Sequence, residues 1–133
     1  MKNFKQIAVV FTLFLSIVFL TSGKAIAQND AFGSVKSAIK TGSSKDLARN
    51  FSSVVAISLE GGEATSYSNT QAEFVMKNFF GKNPPVDFTY SHQGASDKGQ
   101  RYAIGTYASR NGSYTVVVLL KDNSIQKLDF IKD

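Results

Sequence analysis

The second half of the chain limits the possible folds more than any other part of it. From residue 85 onward four segments of strand character follow one another closely: PVDFTYSHQ, RYAIGTYAS, SYTVVVLLK and SIQKLDFIK. β-Branched and aromatic residues alternate with polar ones in each, the pattern of a half-buried strand. Asn111-Gly112 and Asp122-Asn123 separate the last three segments, and such pairs accept the positive φ angles of two-residue hairpin turns. A meander of antiparallel strands is expected, and one of its faces must be covered.

The cover is found upstream. Phe32, Val35 and Ile39 recur at helical spacing until Gly42 stops the segment. GSSKDLARNF starts a second, short helix with Ser43 or Ser44 as its N-cap, burying Leu47 and Phe51. VVAISL (54–59) reads as a strand, the glycines of EGGE supply a tight turn, and EATSYS (63–68) returns as its partner. The spacing then predicts a third helix over 70–81, with Thr70 and Glu73 in a capping box. Its apolar face carries Ala72, Val75, Met76, Phe79 and Phe80, and Pro84-Pro85 block its continuation. The expected class is α+β: a strongly bent antiparallel sheet of about six strands wrapped over three helices. Gly105, inside a strand, marks the bend, and a bent sheet over helices makes a cone with an internal pocket.

Residues 1–27 follow a different pattern. MKNFKQ carries Lys2 and Lys5, residues 7–20 are apolar-rich, and TSGKAIA closes with Ala25-Ile26-Ala27. Positive, apolar and small-residue regions in that order are a secretory signal peptide, here cut after Ala27. The apolar run is shorter than the ~20 residues that span a bilayer, so no membrane span is expected in the mature form. No cysteine follows the run, which excludes a lipid anchor on cysteine. The expected location is periplasmic or extracellular, with residues 28–133 forming a single domain. Setting aside Lys2, Lys5 and Lys24 lowers the basic count from 15 to 12 against 10 acids, without any basic cluster, so nucleic acid is not an expected partner. Zero cysteines exclude thiol chemistry and disulfides, and one histidine gives little for a metal centre; no metal and no cofactor is expected.

Several stretches carry a resemblance. YSNTQAEFVMKNFF (67–80), HQG (92–94), YAIGT (102–106) and IQKLDF (125–130), in this order behind a signal peptide, resemble a family of small secreted bacterial proteins known only as a domain of unknown function. The element order is similar to the nuclear transport factor 2-like cone, a cystatin-like α+β fold. The resemblance implies that fold and an extracytoplasmic setting. It implies no reaction, since proteins on this fold include both enzymes and binding modules.

His92 is the one histidine, and it shares strand parity with Val86, Phe88 and Tyr90. That parity makes it an inward-facing, at least half-buried side chain, with His92, Tyr90, Tyr102 and Phe88 as the expected ligand pocket. No acid joins them as a catalytic partner. Glu60 and Glu63 flank a turn, Glu73 caps a helix, and Asp87 and Asp129 run out of phase with their apolar neighbours. No catalytic residue is therefore assigned. The reading is a small non-catalytic binding or interaction module for a small-molecule ligand or protein partner. The alternative is an isomerase- or dehydratase-like enzyme using the cone pocket with His92 and the tyrosines. A cavity filled by Phe79, Phe80 and Phe88 favours the module.

Uninterrupted two-residue hairpins would place Val117, Leu119, Leu128 and Phe130 on one sheet face and Val116, Val118, Leu120 and Ile125 on the other. Helices cover only one face. The face with Val118 is the uncovered one in this reading, and it is expected to form a homodimer interface.

Overall fold

The structure, a computed structural model, describes residues 30–96 and 98–133; the expected signal peptide and Asp97 lie outside the described residues. Among the described residues three helices precede or interrupt the strands: α1 (Asp30–Thr41), α2 (Ser44–Ala48) and α3 (Asn69–Lys82). The strands are β1 (Phe51–Leu59), β2 (Thr65–Ser68), β3 (Pro85–Ala95), β4 (Gln100–Ser109), β5 (Gly112–Lys121) and β6 (Ser124–Lys132). They form one bent six-stranded sheet in the order β2-β1-β6-β5-β4-β3. All neighbours are antiparallel except β1 and β6, the second and third strands of that order, which run parallel.

Local chemistry explains the boundaries. Gly42 takes φ +71° after α1, where its N–H reaches Ile39 O at 3.1 Å and that of Ser43 reaches Ala38 O at 2.9 Å. This pair of bonds satisfies carbonyls that the helix end leaves open. Ser43 caps α2 by accepting from the Asp46 N–H. Phe51 opens β1 instead of closing α2, because the chain has already turned at Asn50. The capping box of α3 lies two residues earlier than the Thr70/Glu73 spacing implies. Ser68 accepts from the Gln71 N–H and the Gln71 side chain accepts from the Ser68 N–H. Either pair satisfies the box spacing; Ser68 has the extended backbone that an N-cap requires.

One face of the sheet packs against the helices. Phe79 of α3 lies among Tyr107, Tyr114 and Phe130, with ring centroids 4.6 Å from Phe130 and 5.3 Å from Tyr114. Phe80, Phe88, Leu47, Val35 and Ile39 complete a continuous core. Each such side chain stabilises the fold by about 1.5–3 kcal/mol through burial. Gly105 sits where a Cβ would lie 2.6 Å from the Thr89 carbonyl and 2.9 Å from the Phe88 ring. A side chain there would push β3 off β4, so this close approach of the two strands requires glycine.

Two of the four register shifts in the sheet correct the parity read from sequence. On β6, Leu120 pairs with Ile125 but Leu119 pairs with Lys127, so Gln126 is the extra residue. Beyond it Val118 faces Leu128 and Val116 faces Phe130, and all four are fully buried under the helices. The apolar side chains expected on two faces thus merge onto one, and Val118 is a core residue. On β3, Tyr90 pairs with Gly105 but His92 pairs with Ile104, which makes Ser91 the extra residue. Tyr90 therefore points to the helices, and His92 points to the open face, where it is exposed.

Candidate functional site

The four side chains expected to share a pocket are divided by the β3 bulge. Phe88 is fully buried on the helix side, edge-on to Tyr90 at 5.1 Å. The Tyr90 hydroxyl donates to the Phe32 carbonyl of α1 at 2.8 Å, tying helix to sheet, and burial raises its pKa. His92 and Tyr102 meet on the open face, with Nε2 and the phenol oxygen 3.2 Å apart. Tyr102 lies over Gly94, its cross-strand partner, where no side chain competes for the space. No carboxylate pairs with His92 among the described residues. The inward, half-buried histidine is thus overturned by one extra residue in the ladder.

The interior of the cone is occupied. Phe79, Phe80, Phe88, Tyr107, Tyr114 and Phe130 are each at most 5% exposed and fill the space between α3 and the sheet. Polar chemistry on this side gathers instead at the end of α3. Asn83, forced out of the helix by Pro84-Pro85, is buried, and its Nδ2 donates to Phe79 O at 3.3 Å. Its backbone carbonyl accepts from Tyr107, and its Oδ1 accepts from Tyr114 at 3.1 Å. The Tyr114 hydroxyl also lies 3.4 Å from a Glu60 carboxylate oxygen. With one proton, it donates to one of the two acceptors at a time. Burial, then the Glu60 charge, raises the pKa of Tyr114; burial, then Tyr114, raises that of Tyr107.

Glu60 reaches this cluster by an uncommon route. Gly62 N–H closes a turn on Leu59 O at 3.0 Å, and the two central residues, Glu60 and Gly61, both have positive φ, +57° and +80°. The left-handed positions thus fall one residue earlier than the paired glycines of EGGE. Between this turn and the end of α3 lies a cleft of about 270 Å³ lined by Leu59, Glu60, Val75, Asn78, Phe79, Lys82 and Asn83. Its wall is apolar and its rim carries one carboxylate, one ammonium and two amides. A second cleft of about 260 Å³ lies between α2 and the start of α3, lined by Lys45, Arg49, Asn69, Thr70 and Glu73 together with Ala48. Among the described residues no three acidic or histidine side chains converge as metal ligands, and no helix is long and apolar enough to cross a membrane.

The sequence alone places Glu60 in a turn and Tyr114 beside the face of Val118, and it gives Asn83 and Lys82 no role. The signals were present: a polar residue wedged between a helix and Pro-Pro, and an aromatic residue at an alternating position just after a turn. Only the long-range pairing brings them together.

Comparison with known proteins agrees with this architecture. A crystal structure of a DUF4783 family protein from Bacteroides ovatus is 32% identical, covering 75% of this chain and 93% of its own, with a TM-score of 0.70. A second DUF4783 protein, from Bacteroides uniformis, is 24% identical over 76% of this chain and 95% of that one, also with a TM-score of 0.70. An NTF-2 like protein of unknown function from Burkholderia xenovorans shares the fold at a TM-score of 0.60 with 8% identity, covering 79% of this chain and 83% of its own. No curated protein matches. The model of the domain of unknown function DUF4783 matches residues 32–130, nearly all of the described domain, and this chain belongs to that family.

Proposed function

We propose that the protein is an exported, non-catalytic binding module that pairs with a second copy of itself through the open face of its sheet. The observation that carries the non-catalytic reading is the filled interior. Six aromatic rings occupy the space where a cone-shaped enzyme would hold its substrate, and the one histidine lies on the opposite face. Among the described residues His92 and Tyr102 lie on one face of the sheet and Tyr90 and Phe88 on the other, which speaks against an isomerase- or dehydratase-like mechanism built on all of them. Export rests on the order of basic, apolar and small residues in positions 1–27.

Self-association rests on what remains on the open face once the β6 bulge has gathered Val116, Val118, Leu128 and Phe130 under the helices. Tyr102 pairs with Leu119 and Ile104 with Val117, a compact patch of four half-exposed apolar side chains on adjacent strands. Lys127 and Asp129 stand beside it, opposite Leu119 and Val117. Within one chain these two charges pair with each other at 3.8 Å, so the rim of the patch carries no net charge to repel a second copy. Sedimentation of the exported protein at micromolar concentration should give a dimer, and Val117→Lys should give a folded monomer. A wild type that stays monomeric would overturn self-association, and a mature product beginning before Gln28 would overturn the cleavage.

A further inference from the structure

We infer that the cleft between the Glu60 turn and the end of α3 binds a small zwitterion with an apolar side chain, of the size of an aliphatic α-amino acid. This deepens the reading as a binding module by naming a ligand class, and it uses the face opposite the proposed dimer patch. The cleft is about 270 Å³, near the lower end of small-molecule sites, which suits a ligand of few atoms. Its wall of Leu59, Val75 and Phe79 suits an aliphatic chain, and its rim offers both signs of charge, Glu60 and Lys82. Neither charge enters an ion pair among the described residues. A ligand ammonium on Glu60 and a ligand carboxylate on Lys82, with Asn78 as a further donor, would satisfy both.

The backbone at Glu60 adds an independent reason. A turn that needs positive φ at both central residues is made most cheaply by Asn-Gly or Gly-Gly, yet the first position here is glutamate at φ +57°. A β-carbon in that conformation is strained, and strain of this kind is retained where the side chain has work to do. Tyr114, buried and held by Asn83, stands behind the carboxylate and limits where it can swing. The carboxylate is thus aimed by a turn that would be easier to form without it. Binding adds no covalent bond and breaks none; the protein supplies one carboxylate, one ammonium and an apolar wall.

The test uses L-leucine, leucinamide and N-acetyl-L-leucine as probes, followed by the amide shifts of Glu60 and Lys82 and the Asn83 side-chain amide. Leucine should shift all three saturably, and removing either charge from the probe should weaken binding about tenfold or more. The dipeptide Gly-Leu, whose charges are further apart, should bind more weakly than leucine. Glu60→Gly relieves the backbone while removing the carboxylate, so its Tm should hold or rise while leucine binding falls by the same factor. Lys82→Met serves as a second variant if the turn mutant folds poorly. Absence of saturable shifts with leucine, equal binding of leucinamide, or a lower Tm with unchanged binding in Glu60→Gly each overturns the inference. Val117→Lys monomers should bind leucine as the wild type does, so a failed dimer and a failed ligand site are told apart.

Discussion

Tyr102 and Tyr114 belong to the same hairpin, β4–β5, and each hydroxyl meets a polar side chain brought from elsewhere in the chain. Tyr114 points under the helices, is 1% exposed, and shares its proton between Asn83 and Glu60. Tyr102 points the other way, is half-exposed, and meets an exposed histidine. The residue types alone would rank the histidine pair as the functional one. Burial reverses the ranking, because a hydrogen bond in a water-poor interior orders its partners, whereas one at the surface competes with solvent. The face a strand residue occupies decides what its chemistry is worth, and here the face is set by single-residue bulges at Ser91 and Gln126.

The largest effect that sharpens this contrast comes from two neighbours on β5. Val118→Lys puts an unpaired ammonium among Ala103, Leu128 and the helices, and it should cost about 4 kcal/mol or more, unfolding most of the protein. Val117→Lys, one residue away on the open face, should stay within about 1 kcal/mol of wild type. Circular dichroism with urea titration measures both. Equal tolerance at the two positions would mean that the β6 bulge is absent and the faces are assigned wrongly.

Phe79→Ala is next in size. The ring contacts Tyr107, Tyr114 and Phe130 and is 4% exposed, so its removal should leave a cavity and cost about 3–5 kcal/mol. Phe74→Ala, on the same helix but 59% exposed, should change stability by less than about 0.5 kcal/mol. A small loss at Phe79 would show that the aromatic cluster is not the centre of the core.

Much of the fold was legible in the residues. The apolar stripe of α3, the cap at Ser43, the glycine stop after α1 and the Asp122-Asn123 turn follow from local chemistry, and all are present. The β4–β5 turn falls one residue earlier than Asn111-Gly112, on Arg110 and Asn111, neither of which has positive φ. The bulges were not legible. An extra residue in a strand carries no local signature when its neighbours are as ordinary as Ser91 or Gln126, yet it inverts the parity of everything beyond it. The site suffered for the same cause. His92 was placed by counting in twos across a bulge, while Glu60, Asn83 and Tyr114 are separated by 23 and 31 positions and meet only through tertiary packing.

The buried tyrosines respond to alkali. Burial raises the pKa of Tyr90, Tyr107 and Tyr114 above that of a free phenol, so the folded state holds their protons longer than the unfolded one. Their contribution is fully present below the unfolded pKa of about 10 and declines as pH rises beyond it, at up to about 1.4 kcal/mol per pH unit for each proton. Tyr114→Phe should cost about 1–3 kcal/mol at neutral pH, because Asn83 Oδ1 loses its buried donor. The variant should also fall less steeply between pH 10 and 11, having one such proton fewer. Parallel slopes for variant and wild type would mean that solvent reaches the Tyr114 hydroxyl.

The smallest effect is expected at His92. Its ring is exposed on the open face, among the described residues its one side-chain partner is the Tyr102 hydroxyl at 3.2 Å, and Tyr102 is already positioned by lying over Gly94. Removing the imidazole leaves no cavity and no buried donor, so His92→Ala should change stability by less than about 0.5 kcal/mol. A double-mutant cycle with Tyr102→Phe isolates the contact itself, and its coupling should also be below about 0.5 kcal/mol, as for independent surface sites. Leucine binding, across the sheet, should be unchanged in His92→Ala. A coupling above about 1 kcal/mol would show that the open face orders its polar groups as the covered face does, and the contrast between the two tyrosines would then fail.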